Sequence, residues 1–435
     1  MKTTVTLAEG ANVSIGECVT LTLDDGASYK GIVCSSSSSA IEIDLFEGEG
    51  LLGRTIEHIY CSGHRVCFPF STTMLGRSFN GAGHPIDGGD EIIPEILSHI
   101  DSPGITQAER QAPSECLSTG ICIIDGLIPL YKGETIGLFF PPGIPDHIFI
   151  RHIIRQIPVE ALCYAGVDVS PEREALLSLI RKEEGIESKS ATFVNLSNEP
   201  IHERDTAPKM ALSLAEYLAF EHDMTVVVIL DNMSTYPDNT FRKLYARAGK
   251  RKDKKGSITL ISLFHLKAFN ERFAFHKSLL DASIIFSYEL YLQGIYPPID
   301  VGASHSRLVH IAGPRHISIE SIDKLKKAYL YGKLAFDRSC KRGEERLSRK
   351  ESEYVKFYEE FNQQLVRQNN YESRCIEDTI KHCHHILSRI PDDTIEVYEH
   401  KPEKKAPDPT HTAPIKPSTE GFHIRQSLFL PARYV

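Results

Sequence analysis

Between Thr135 and Leu292, apolar and β-rich runs alternate with helical patterns, and this alternation leaves few folds open. The runs are Thr135 to Phe140, Ala161 to Val167, Ala191 to Leu196, Met224 to Leu230, Ile258 to Phe264 and Ile284 to Leu292. Each is continuously apolar rather than alternating, so each strand is expected to be buried on both faces. Such strands belong in a largely parallel sheet covered by helices, and the fold class expected for the centre of the chain is α/β.

The first run leads into the segment Gly133 to Arg155. It reads as a strand ending at Phe140, a Pro- and Gly-rich loop from Pro141 to Pro145, and a helix starting near Asp146. That is the layout of a phosphate-binding loop, with Gly143 and Asp231 as candidate cofactor-binding residues. Its chemistry is missing. A working loop needs a Lys for the β/γ-phosphates and a Ser or Thr for Mg²⁺, whereas Ile144, Pro145, Asp146 and His147 stand here. Prolines also remove N–H donors that would cradle an anion. The expectation is a nucleotide-site scaffold whose own site is catalytically dead. Asp231 ends the run Val226-Val-Val-Ile-Leu, the place of an acid that holds a Mg²⁺-bound water. Without a partner Lys, the simpler reading is a strand-end turn or cap.

Short alternating runs at Cys18 to Leu23 and Tyr29 to Val33, joined through Asp24-Asp25-Gly26, predict a β-hairpin. Ile41 to Phe46 continues the alternation, and a small N-terminal β-barrel is expected, with Ser35 to Ser39 as a polar loop. Met74 to Asp125 is dense in Gly and Pro and reads as a connector packed onto the next domain. Beyond Ser318 the apolar period is helical: Ile322, Leu325 and Tyr329, then Tyr354, Phe357, Tyr358, Phe361 and Leu365, then Ile376, Ile380, Cys383, Leu387 and Ile390. These stripes predict a C-terminal helical bundle. From Glu399 the chain is rich in Pro, Lys and Thr, the composition of a disordered tail, whose last residues Leu428 to Val435 could dock. The expected division is 1–73, 74–317, 318–398 and a tail 399–435.

A net charge of -9 argues against nucleic acid or an anionic membrane as main partner, since both need a basic face. The basic run Arg247, Lys250, Arg251, Lys252, Lys254 and Lys255 reads as a solvated loop. Ten cysteines without a Cys-x-x-Cys pair suggest reduced thiols in a cytosol rather than a disulfide framework or zinc ribbon. His382, Cys383, His384 and His385 point in different directions on a helix, so no metal site is expected. No apolar run is long enough to span a bilayer and no secretory signal is present, so membrane work would depend on other subunits.

In order along the chain stand Met74-Leu-Gly-Arg-Ser-Phe-Asn-Gly-Ala-Gly-His-Pro-Ile-Asp87, Leu117-Ser-Thr-Gly-Ile-Cys-Ile-Ile-Asp125 and Met210 to Met224. Arg247-Ala-Gly with Lys255-Gly-Ser-Ile-Thr259, then Ile295-Tyr-Pro-Pro-Ile-Asp-Val301, then Ser306-Arg-Leu308 complete the set. With these segments the chain resembles the non-catalytic B (beta) subunit of V-type and archaeal-type rotary ATPases, from about Val13 to Asp393. The resemblance implies a β-barrel, a RecA-like α/β domain and a helical bundle. It also implies a hexameric ring in which this subunit alternates with a catalytic A subunit around a central rotor, with a peripheral stalk. ATP or ADP would lie at the interface, with Mg²⁺ held mainly by the catalytic subunit and none bound tightly by this chain alone. Arg307 would then be an arginine finger acting in trans, with Ser306 beside the nucleotide. The expected location is the cytoplasmic side of a membrane, and the expected role supports ATP hydrolysis or synthesis coupled to H⁺ or Na⁺ transport. The stretch from Tyr236 to Phe241 is shorter than in relatives, and His265 to Leu280 lacks their Asp-Asp and Thr-His-Pro pattern. The alternative is therefore a stand-alone binding or regulatory paralogue that keeps the fold.

Overall fold

The computed structural model describes residues 2–6, 13–14, 16–37, 40–45, 56–65, 67–199, 203–236, 240–266, 271–309, 317–342 and 347–391. The tail expected from residue 399 lies outside these residues.

Strands β1 (Lys2–Thr6), β2 (Glu17–Leu23), β3 (Ser28–Ser36), β4 (Ala40–Leu45) and β5 (Ile56–Arg65) form an antiparallel sheet in the order β1-β4-β3-β2-β5. Alternation decides its faces: Val19, Leu21 and Leu23 of β2 meet Val33, Ile41 and Ile43 in one apolar core, with the intervening Thr20 and Thr22 turned outward. The hairpin turns at Gly26, whose φ of +81° suits a residue without Cβ. The Thr-rich β1 carries no apolar alternation, which is why the sequence does not announce it.

Next come β6 (Cys67–Phe70), β7 (Ser78–Asn80), β8 (Ile96–His99), β9 (Arg110–Gln111) and β10 (Cys116–Leu117), then α1 (Cys122–Leu127) and β11 (Leu130–Tyr131). The expected connector is here more than a packed strap. Its strand β7 enters the central sheet, pairing Phe79 with Phe193, and the two rings stack with centroids 5.4 Å apart. The central elements are β12 (Thr135–Phe140), α2 (Asp146–Gln156), β13 (Ala161–Val169), α3 (Pro171–Glu183), β14 (Ser190–Leu196), α4 (Glu203–Glu221) and β15 (Thr225–Asp231). There follow α5 (Phe241–Tyr245), β16 (Gly249–Arg251), β17 (Ser257–His265), α6 (Glu271–Leu279), β18 (Ala282–Ile285), α7 (Tyr288–Leu292) and β19 (His305–Ser306).

The sheet runs β19-β18-β12-β17-β15-β13-β14-β7, with β16 paired to the start of β17 and β9 paired to β16. From β18 to β7 every pairing on that path is parallel. All six residues of β12 are buried, as continuous apolarity requires. The C-terminal ends of β12, β13, β15 and β17 therefore share one edge of the sheet, and Asp281, before β18, lies at the other.

Two expectations need correction. The run Ile284 to Leu292 is not one strand: Ser287 accepts the N–H of Leu290 as a helix cap, so the chain turns into α7. Arg247 is not in a solvated loop. It is 2% exposed and binds Glu216, Ser213 and the carbonyl of Ile100, a buried ion pair that opposite charge and three acceptors make tolerable.

The C-terminal helices are α8 (Ile319–Arg342), α9 (Arg349–Phe361) and α10 (Ile376–Ser388). Ser348 and Glu351 cap α9 reciprocally. Tyr329 of α8 packs on Tyr358 and Phe361 of α9, matching the expected stripes. On α10 the buried face is Thr379, Cys383 and Ile386 rather than the whole predicted stripe, and Gly126 of α1 lets the Cys383 sulfur approach. Among the described residues no helix is long and apolar enough to cross a membrane, and no His, Cys, Asp and Glu group is arranged to hold a metal.

Candidate functional site

The residues singled out from sequence separate into two places at opposite ends of β12. Gly143 and Asp231 lie at the C-terminal ends of the parallel strands, whereas Ser306 and Arg307 lie beside Thr135 and Asp281 at the N-terminal end. The six residues of β12 put roughly 17 Å between these ends at ~3.3 Å per residue.

At the loop end, α2 begins at Asp146 straight after Pro145, which has no N–H to offer. Gly143 has a φ of +90°, and a Cβ there would fall 2.9 Å from the Tyr288 ring, so that ring lies close beside the exposed loop. Asp231 is fully buried and its carboxylate is already engaged. Tyr164 donates its hydroxyl hydrogen to Oδ2 at 2.7 Å, and Arg173 donates from Nε at 2.6 Å and from Nη2 at 2.8 Å. Asp231 is therefore neither a turn residue nor a cap. The same Arg173 Nη2 lies 2.6 Å from Asp146 Oδ2, and His265 Nε2 lies 2.8 Å from that oxygen. Burial alone would raise the Asp146 carboxyl, but hydrogen bonds from His265 and Arg173 outweigh it and hold Asp146 well below the usual carboxylate range. Burial likewise disfavours the Arg173 charge, yet Asp231 and Asp146 raise its pKa above that of a free guanidinium.

At the other end, Arg307 is half exposed. Its Nη2 donates to Asp281 Oδ1 at 3.0 Å, and its backbone N–H donates to the Asp281 carbonyl at 2.8 Å. The second oxygen of Asp281 accepts from the backbone and hydroxyl of Thr135. Ser306 is buried, its hydroxyl 3.4 Å from Glu134 Oε1, so it faces inward. Burial drives the Glu134 carboxyl well above its usual value, against the hydrogen bond it accepts from the Tyr131 N–H.

The nucleotide-binding domain of the ATP synthase alpha/beta family matches residues 120–240 and 235–306. A solved structure described as a unique ATP synthase subunit, NeqB from Nanoarcheaum equitans, is 26% identical with a TM-score of 0.69, and the match covers 86% of this chain and 99% of that one. Residues 120–306 therefore carry an ATP synthase alpha/beta-type nucleotide-binding domain, and the chain is similar along most of its length to that ATP synthase subunit.

A nucleotide-binding domain of this kind implies a nucleotide, and the loop end can be tested for it. A magnesium–nucleotide complex needs an acid free to hold a metal-bound water and a helix start open to an anion. Here the acid is bound to Arg173 and the helix start carries its own carboxylate, so these residues do not fit that group. The two matched segments overlap at residues 235–240, and Arg307 follows directly on the last matched residue. Sequence reasoning missed Arg173 and His265. An arginine three residues after the cap Ser170 looks like any first-turn surface residue, and only Asp146, noted as replacing a phosphate-binding residue, pointed toward them.

Proposed function

We propose that this chain is the non-catalytic, B-type subunit of a V- or A-type rotary ATPase or ATP synthase, and that Arg307 completes the site of a neighbouring catalytic subunit. The observation that carries this reading is the placement of Arg307. It stands on the far side of β12 from its own loop, half exposed, with only one of its guanidinium nitrogens held by Asp281. Such an arginine is too distant to serve Gly143 and is free to meet a phosphate on another chain. The chain would alternate with a catalytic A subunit in a hexamer with a central rotor and peripheral stalk. ATP or ADP and Mg²⁺ would be held mainly by that subunit, and the assembly would work on the cytoplasmic side of a membrane, coupled to proton or sodium transport.

The test uses rings reconstituted with the catalytic partner. Arg307→Ala should lower steady-state turnover by on the order of 10³-fold, as for other arginine fingers, with assembly by native mass unchanged. Arg307→Lys should fail as well, because an ammonium lacks the planar fork that contacts two oxygens. Near-normal turnover in the Ala variant would remove the finger role. A second reading, a stand-alone binding or regulatory paralogue, is favoured by the shortened stretch at which the family match divides. It requires that no ring form with a partner carrying an intact Lys-bearing loop.

A further inference from the structure

We propose that this chain carries an internal replica of a metal–anion pair that closes its own nucleotide site. The Arg173 guanidinium stands in for the cation, and the Asp146 carboxylate stands in for the phosphate. The inference concerns the loop end of β12 and holds whether or not Arg307 reaches a neighbour's nucleotide.

The charge arrangement carries the argument. In a working site a cation bridges the strand-end acid to an anion lying against the start of the following helix. Here the strand-end acid is Asp231 and the helix start belongs to α2. The bridge is Arg173, through Nε and Nη2 to Asp231 at 2.6 and 2.8 Å, and through Nη2 and Nη1 to Asp146 at 2.6 and 3.3 Å. All three guanidinium nitrogens are thus engaged, two of them as a fork on a carboxylate with no solvent exposure. A magnesium ion could reach Asp231 only by stripping off that fork and leaving a largely buried guanidinium without its counter-ion.

The anion side is closed by the same logic. The positive end of a helix attracts negative charge, and Asp146 in the first turn of α2 already supplies it. An arriving phosphate would meet a like charge and find no N–H at Pro145, with the Tyr288 ring close beside Gly143. His265, at the end of β17, fastens Asp146 from the other side. The cluster therefore ties α2, α3, β15 and β17 together, the elements a bound nucleotide would otherwise hold. The consequence is a subunit fixed in one state that does not follow the nucleotide cycle.

The experiment is thermal unfolding of the full chain, followed by far-UV circular dichroism, with and without about 5 mM MgCl₂ or Mg·ADP. Wild type should shift by less than about 1 °C with either addition. Arg173→Met should unfold at lower temperature and should gain a Mg²⁺-dependent rise of roughly 2 °C or more, as the metal takes over the vacated position between the two acids. The double variant Arg173→Met/Asp231→Asn should lose that rise. A wild-type chain that responds to Mg²⁺ or Mg·ADP as strongly as the variant would overturn the proposal, as would an Arg173→Met chain with wild-type stability and no metal response. Should Arg173→Met not fold, the wild-type titration decides alone. A failed Arg307 assay would leave this result untouched, because the two ends of β12 are read by different measurements.

Discussion

The two ends of β12 each hold an arginine against an aspartate, and they hold it very differently. At the loop end Arg173 is 21% exposed and grips two carboxylates, one of them wholly shielded from water. At the other end Arg307 is 51% exposed and touches Asp281 through one nitrogen. Burial and valence decide what such a contact can do. A desolvated, multiply bonded pair resists exchange of either partner, whereas an exposed single contact is worth little and can be traded for a stronger anion. One arginine is built in, and the other is exposed and singly bonded.

The largest effect that would break this contrast is on stability. Arg173→Ala should cost about 3 to 5 kcal/mol, because Asp231 and Asp146 would be left buried without their cation. Chemical denaturation measures it, and a loss below about 1 kcal/mol would make the cluster a surface-type ion pair.

Acid should act on the two ends with opposite sign. Asp146 has a depressed pKa, so its contribution is present above the unfolded value of roughly 4 and is lost as pH falls through the folded value. Asp146→Asn should therefore cost on the order of 2 kcal/mol at neutral pH and progressively less toward pH 3. Denaturation midpoints across that range would show it, and a penalty independent of pH would mean that the charge is not what matters.

Gly143→Ala sharpens the picture of the loop beside Tyr288. A left-handed φ and the Tyr288 ring 2.9 Å from the added methyl should together cost about 1 to 2 kcal/mol. A thermal scan showing no loss would indicate that the loop is free to open.

Glu134 beside Ser306 is the acid counterpart at the far end. Its raised pKa means that the folded chain holds a proton the unfolded chain has released, a contribution present at low pH and lost as pH rises through the folded value. Glu134→Gln should thus be neutral or stabilising by about 1 kcal/mol at pH 8 and should flatten the pH profile. Destabilisation at pH 8 would refute this. The smallest expected change is Arg307→Ala, within about 0.5 kcal/mol of wild type in the isolated chain, since an exposed pair contributes little.

What the residues alone determined is the local and periodic part of this molecule. Continuous apolar runs required parallel strands with both faces covered, and they are found at β12, β13, β14, β15 and β17. Helical stripes marked Tyr329, Tyr358 and Phe361 as bundle core, where they pack together. Those signals depend on neighbours within a turn or two, so they are written along the chain. The rest depends on which strands become adjacent. Arg173 meets Asp231, 58 positions away, and Asp146, 27 positions away, because β13 lies beside β15 and α3 follows β13. Nothing near Arg173 in sequence distinguishes it from a solvated first-turn arginine, just as nothing near Arg247 foretold its burial against Glu216. The separation of Arg307 from Gly143 was equally hidden, since only the direction of β12 and the pairing of β18 with β19 put them at opposite ends. Long-range charge pairing follows sheet order, and sheet order is set by the packing of the whole domain.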